Sequence, residues 1–478
     1  MKYDVIIIGT GLGGLVAGAK LSKEGKKVLL IEQHNKAGGC ATTFRRRNFN
    51  FEVGLHEMDG LHPRDMKTKI FRDLDVLDKV EFITIPEFYR FTNGRYNITI
   101  PHQVSQAIDT LLEVFPDEND GIRAYFDQII PVRGKKAGSE QDDTSIGEFL
   151  DSIIKNEDLK LALLGNLGYF GDDPYSLSLR YYSVAQGSYY TGGSSYIKGG
   201  SQKLSDHLAG YILKHGGEIL FNHLVTGLKT HDRRITGVIY KKRRDHDSSF
   251  IEAEAEYLIA NNSIPGLADL LPEQYGSLLN EQISGMEYGA SLLTLYLGFN
   301  KAPRDLGNQF YSTCMFDPSV KTQADIKTNN RDDFSRRSFI FVDYSQIDSD
   351  LSAPGKGVGG ICCIDYPDDW DGLDRKEYLL KKEETASLFI ERLEKLIPGI
   401  SSHIDHHETA TSLTVRRYTL NPGGAVYGFA QTPGKKVFDP QTILDNLHIA
   451  SAWGKTGGGF SGAIYGGYLC AFNILRQK

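Results

Sequence analysis

Cysteine is scarce in this 478-residue chain, and the five present, Cys40, Cys314, Cys362, Cys363 and Cys470, form no CxxC pair. Adjacent Cys362 and Cys363 would face opposite sides of a strand. A disulfide framework and a zinc site are therefore not expected, and no metal is expected elsewhere. No apolar run approaches the ~18 residues of a spanning helix, and mean hydropathy is -0.32. Basic residues are not in excess: 54 Lys and Arg against 61 Asp and Glu give a net charge of -7. That balance is wrong for gripping a phosphate backbone, so nucleic acid is set aside as a partner. The opening Met-Lys-Tyr-Asp enters an apolar run at once, without a basic region, hydrophobic segment and cleavage site in order. A cytoplasmic protein is the expectation.

Glycine is what the chain has in plenty, 51 residues, together with 25 Tyr and 24 Phe. With no G-X-Y period, the positions of the glycines matter more than their number. Residues 3–8 are a β-branched run suited to a buried parallel strand. Gly9-Thr10-Gly11-Leu12-Gly13-Gly14 follows, then a helical stretch to about residue 22 and a second strand over 27–31 ending at Glu32. In this order GxGxxG is a dinucleotide fingerprint. Gly9 allows the tight turn, Gly11 lets backbone approach a pyrophosphate, Gly14 permits close helix packing, and Glu32 can accept ribose hydroxyls. A second match, Gly355-Lys356-Gly357-Val358-Gly359-Gly360, follows Ser-Ala-Pro instead of a strand and reads as a turn before one.

After Glu32 come Gln33 and then Gly38-Gly39-Cys40-Ala41-Thr42-Thr43-Phe44, with Phe51-Glu52-Val53-Gly54-Leu55-His56 beyond. Here the chain resembles the FAD-dependent phytoene desaturase superfamily, most closely its carotenoid isomerase and retinol saturase branch. The resemblance runs the full length: Phe91-Thr92-Asn93-Gly94-Arg95 as a hairpin, Phe115-Pro116-Asp117-Glu118 opening a helix, and Ile197-Lys198-Gly199-Gly200-Ser201-Gln202 before a helix to about residue 215. The resemblance implies that backbone at Val225 holds the adenine edge. It also implies that residues 258–262, with Asn261, return the chain to the FAD domain. Residues 448–453 would form a strand containing Ser451. Gly457-Gly458-Gly459-Phe460-Ser461-Gly462-Ala463 would open a last helix whose dipole faces the pyrimidine end of the isoalloxazine. Relatives commonly carry an acid where this chain has Ser451-Ala452, which leaves one FAD contact in question.

The implied architecture is α/β, a Rossmann-type FAD-binding domain with an inserted α+β substrate domain. The FAD domain takes residues 1–80, 196–265 and 412–478, and the substrate domain 81–195 and 266–411. A basic run over 241–247 reads as a solvated hairpin loop. Eight aromatics crowd residues 169–196, and composition fits a tunnel for a long apolar molecule as well as it fits a packed core. Arg45-Arg46-Arg47 suits a solvated turn better than an anionic membrane face.

No Ser-His-Asp order or carboxylate pair presents itself, so the flavin would carry the chemistry and the protein its placement. His56, Arg417 and Tyr427 are the catalytic candidates, with Tyr418 and Asn421 near them. Cofactor contacts are expected from Gly9, Gly11, Leu12, Gly13, Gly14, Glu32, Gln33, Gly38, Gly39, Cys40, Ala41, Thr42, Val225, Asn261, Ser451, Gly459, Phe460 and Ser461. The expected activity is FAD-dependent desaturation, saturation or isomerisation of C=C bonds in a lipophilic polyene or isoprenoid. The expected place is the cytoplasm, with contact to the inner face of the membrane. The alternatives are a flavin amine or porphyrinogen oxidase, and a non-catalytic FAD-bound scaffold. The oligomeric state is not legible.

Overall fold

The N-terminal apolar run forms a strand, Lys2–Ile8, in the computed structural model, which describes residues 2–130, 144–243 and 249–477. It pairs in parallel with Val28–Ile31 on one side and Ile251–Ala260 on the other. Glu218–Leu220 extends the parallel set beyond Val28–Ile31. Strands buried on both faces read as continuous apolar runs, and alternate side chains show why. Val5, Ile7, Val28 and Leu30 enter one core cluster, while Ile6, Ile8, Leu29 and Ile31 enter another across the sheet.

The far edge of Ile251–Ala260 is shared. Its N-terminal half pairs antiparallel with Arg234–Lys242, which continues to His223–His231, and its C-terminal half pairs in parallel with Leu447–Ile449. Residues 2–8, 28–31, 218–220, 223–231, 234–242, 251–260 and 447–449 thus meet in one sheet. Helix Leu12–Lys23 covers it, flanked by Gln202–Lys214 and Gly459–Arg476.

A second seven-stranded sheet runs Ile404–Ala410, Ser291–Phe299, Gly357–Asp365, Phe339–Asp343, Ser312–Met315, Tyr89–Thr92 and Asn97–Ile100. It is antiparallel except between Ser312–Met315 and Tyr89–Thr92. Helix Arg375–Leu396 buries Phe389 and Leu393 against Leu293, Leu295, Leu297 and Phe341 on one face. The Asn93-Gly94 turn joins the last two strands, with Gly94 at φ +79° and the Asn93 side chain accepting from Arg95 and Tyr96 N–H.

Several local expectations shift. The strand anticipated over 448–453 ends at Ile449, because Ser451 starts a turn in which its Oγ and carbonyl accept from Trp453 and Gly454 N–H. Phe115 precedes a 3₁₀ turn, Pro116–Glu118, before helix Asn119–Ile129. The second glycine run belongs to strand Gly357–Asp365 with its turn at Gly355. The basic loop falls mostly outside the described residues, although its strand reaches Lys242. Arg45-Arg46-Arg47 lies in a hairpin, Thr43–Arg46 with Phe49–Glu52. Two of the three arginines are tied down there, Arg46 to Glu408 at 2.8 and 3.2 Å and Arg47 to Asp405.

Candidate functional site

A cavity of about 1320 Å³ opens beyond the C-terminal ends of the parallel strands, where sheets of this kind bind ligands. Gly9 and Gly11 reach it after the first strand, Glu32 after the second, and Asn261 and Ser451 after the last two. Pockets for small ligands are usually ~300–1,000 Å³. This one has room for a dinucleotide and a second molecule.

Backbone lines the nucleotide end because side chains would not fit. A Cβ on Gly11 would lie 2.9 Å from Asn261 Nδ2, and one on Gly13 would lie 1.8 Å from the Ala450 carbonyl oxygen. Gly38 sits at φ +127° with Gly11 paired beside it. Glu32 Oε2 accepts from the Thr10 N–H and hydroxyl at 2.8 and 2.7 Å, and Oε1 from His34 N–H at 2.8 Å. Oε1 keeps acceptor capacity for a ribose hydroxyl. At this end of the cavity two lining side-chain oxygens, Gln33 Oε1 and Asn262 Oδ1, are buried without a partner. Val225 lies beside a bulge in the sheet's outer strand, where backbone groups are not all taken by pairing. Glu32→Ala is expected to raise the FAD dissociation constant roughly 10- to 100-fold, since a hydrogen bond to a charged group is worth about 1.5–3 kcal/mol. Titrating flavin-free protein with FAD measures it.

Two helices aim uncapped N-termini into this space. Leu12–Lys23 and Gly459–Arg476 have glycine at the cap, no side-chain cap and no acid in the first turn. By contrast, Asp65, Ser145, Ser178 and Asp374 cap other helices with their side chains. Free N–H groups and the positive dipole end favour an anion at both places. The first suits a pyrophosphate and the second the electron-rich end of a reduced flavin.

Beneath the second helix lies a cluster that no sequence pattern announced. The Ser461 hydroxyl donates to Asp59, and the fully buried Lys67 ammonium reaches Asp59 Oδ1 at 2.8 Å, its carbonyl at 2.6 Å and Ser461 Oγ at 3.0 Å. A second buried acid, Glu52, accepts from Ser201 N–H and Oγ and from Gly54 and Leu55 N–H. It ties the Gly199-Gly200 segment to the strand that leads to His56. Burial raises its pKa.

Of the anticipated cofactor residues, all line the cavity except Gly14. Gly14 instead lies where a Cβ would come 2.5 Å from the Gly9 carbonyl, a packing role. His56 and Tyr427 face the cavity, as do Tyr418 and Asn421. The His56 Nδ1 is 2.8 Å from the Tyr169 hydroxyl, and burial pushes the imidazole down to about 4, so it is neutral at physiological pH. Burial drives the Tyr427 phenol far up. Arg417 does not join them and is withdrawn as a catalytic candidate. It is exposed near the end of helix Ser412–Thr419, its guanidinium over the Tyr418 ring.

The aromatic stretch divides along one helix, Leu179–Gly192. Tyr181, Val184, Ala185 and Ser188, at helical spacing, line the cavity, while Tyr182, Gln186 and Tyr190 are core. Tyr169, Phe170 and Tyr189 add to the cavity wall, Tyr196 is buried, and Tyr175 is surface-facing with its hydroxyl on Asp151.

Residues 12–475 match the sequence family described as flavin containing amine oxidoreductase. The chain belongs to this family. Among curated proteins it is 25% identical to all-trans-retinol 13,14-reductase from Danio rerio, over 99% of this chain and 86% of the relative. It is 24% identical to prolycopene isomerase 2, chloroplastic, from an Oncidium hybrid cultivar, over 100% and 84%. Its fold is similar to the crystal structure of an oxidoreductase from Methanosarcina mazei, TM-score 0.71 at 16% identity, each chain fully covered. The protein is an FAD-dependent oxidoreductase, with a Rossmann-type FAD-binding part and a substrate part. The cradle of glycines, Glu32 and two open helix ends fits that cofactor. When bound, FAD supplies hydride exchange, and the chain's residues orient it and shield it from water.

Proposed function

We propose that this flavoenzyme saturates, desaturates or isomerises a C=C unit of a lipophilic polyene or isoprenoid. The observation that carries the reading is the cavity's continuation past the flavin cradle into a chamber walled by Tyr169, Phe170, Tyr181, Val184, Ala185 and Tyr189. Aromatic faces suit a long conjugated chain, and His56 is held neutral. The retinol reductase and prolycopene isomerase relatives support it, being named for polyene substrates. In this reading the FAD domain comprises residues 1–80, 196–265 and 412–478, and the remainder forms the chamber.

Anaerobic incubation of oxidised and of pre-reduced enzyme with a panel of retinoids and carotenoids tests the reading. Turnover only when oxidised marks a desaturase, stoichiometric hydrogenation by reduced enzyme a saturase, and rearrangement without net flavin change an isomerase. Peroxide formation with amines and no reaction with polyenes would transfer the protein to amine oxidation, which the family description favours. The helix faces give a finer test. Tyr181→Ala is expected to weaken polyene binding about tenfold with flavin content unchanged. Tyr182→Ala, at a fully buried site, is expected to cost about 3–5 kcal/mol of stability instead. Equal effects of the two on thermal stability would remove Tyr181 from the chamber wall.

We further propose that the protein works in the cytoplasm and touches the inner face of the membrane through the cavity rim. Val184 and Val437 line the cavity while remaining 71% exposed. No helix among the described residues is long and apolar enough to cross a membrane. Failure to sediment with anionic phospholipid vesicles would rule that contact out.

A further inference from the structure

One carboxyl in the cavity wall has no counter-charge. Glu57 is 9% exposed, its Oε2 makes no well-formed hydrogen bond although the Ser194 hydroxyl lies near the carboxyl, and no cation among the described residues contributes to its field. Its ionisable surroundings are the phenols of Tyr89, Tyr169, Tyr189, Tyr311 and Tyr344 and the thiol of Cys314. Burial keeps every one of these protonated. The other charge in range is the Glu87 carboxylate, a like charge, and His56 beside it is neutral. Burial, offset in part by the Ser194 hydroxyl and reinforced by Glu87, pushes Glu57 up to about 8. It is a carboxylic acid at neutral pH, with a conjugate base within reach.

Its place in the cavity is fixed by its neighbours. Two residues on, Asp59 holds Ser461 in the first turn of helix Gly459–Arg476. Tyr427, which shares Tyr169 and Tyr189 as neighbours with Glu57, presses on Gly458, the cap of that helix. Glu57 therefore opens where the flavin ring end meets the aromatic chamber.

We propose that Glu57 is the proton donor to the substrate carbon, an assignment that rests on the polyene reading above. As a C=C bond takes a hydride at one carbon from reduced FAD, its π pair forms the new C–H bond at the other carbon with the Glu57 proton. The polyene gains two electrons and two hydrogens, FAD is left oxidised, and Glu57 becomes a carboxylate that recovers its proton from solvent. Run backwards, the carboxylate takes the proton as oxidised FAD receives the hydride.

The experiment pairs an infrared titration with single-turnover kinetics on the holoenzyme. In the oxidised protein a carboxylic-acid C=O band is expected to vanish with a midpoint near 8, and to be absent from Glu57→Gln, which keeps the shape of the protonated acid. In photoreduced enzyme mixed with all-trans-retinol, Glu57→Gln is expected to retain flavin and retinol binding while flavin reoxidation slows roughly 100- to 10,000-fold, the range of general acid catalysis. Glu57→Asp, with a shorter reach, is expected to fall between. Wild-type rates in Glu57→Gln, or no band titrating above pH 6, overturn the proton-donor assignment while leaving the polyene reading intact. A wild-type enzyme that binds retinoids and carotenoids but reacts with none overturns the polyene reading itself.

Discussion

Replacing Gly13 with alanine is expected to give a colourless protein with a large loss of stability. The added Cβ would lie 1.8 Å from the Ala450 carbonyl oxygen and 2.9 Å from Asn261 Oδ1. Both belong to chain just past parallel strands, and the nearer obstacle, the Ala450 carbonyl, is backbone that cannot rotate away as the Asn261 side chain could. On the other side, a Cβ at Gly467 would lie 2.2 Å from the Gly13 carbonyl. Helices Leu12–Lys23 and Gly459–Arg476 therefore touch at Gly13 and Gly467, so a first helix displaced from Ala450 by the new methyl also disturbs its contact with the last. Overpacking a tight core site costs about 1–3 kcal/mol, and here both uncapped helix ends that face the cofactor would move together. Loss of at least ~3 kcal/mol and of bound FAD is the expected result, read by urea unfolding and by flavin absorbance per mole of protein. Gly210→Ala is the control. It lies exposed in helix Gln202–Lys214 with nothing within 4 Å of the added Cβ, so the same change should stabilise by about 0.5–1 kcal/mol. A Gly13→Ala protein that is yellow and as stable as wild type would remove the glycine contact from the account of cofactor binding.

The nucleotide end was legible because its determinants are local. A strand, a glycine turn, a helix and an acid follow one another within about 30 residues, each answering to backbone geometry or a hydrogen-bond need that the sequence shows directly. Asn93-Gly94 was legible for the same reason. Arg417 was misplaced because the turn of a short helix decides which neighbour faces inward: Leu420 ends that helix at φ +61°, and Tyr418 takes the cavity side while Arg417 faces water. The aromatic stretch could not be resolved by composition, since both readings hold on different faces of one helix. Glu57, Asp59 and Lys67 gave no local sign at all. Their significance comes from burial and from partners such as Ser461, which is 394 residues from Lys67 and 402 from Asp59 in the chain.

Lys67→Met is the second substitution expected to have a large effect, and its logic is electrostatic. The Lys67 side chain is 0% exposed and Asp59 8%, and the ammonium uses its three donors on Asp59 Oδ1, the Asp59 carbonyl and Ser461 Oγ. Methionine fills the space but leaves a carboxylate buried without its cation, which costs about 3–5 kcal/mol. Removing the second charge as well, in Lys67→Met with Asp59→Leu, should recover most of that loss, because the penalty comes from the stranded charge more than from the missing pair. Flavin gives an independent reading of the same charge. Asp59 holds Ser461 in the first turn of helix Gly459–Arg476, so with the flavin ring at that helix's positive end, as proposed, an uncompensated carboxylate there would oppose negative charge on the reduced cofactor. The reduction potential of the single variant should fall, and that of the double variant should return toward wild type. Urea unfolding and anaerobic dye-linked titration measure the two effects separately. A single variant within about 1 kcal/mol of wild type would show that the pair contributes little beyond its own desolvation. A stability loss with an unchanged potential would confine Lys67 to bracing the helix, without influence on the flavin.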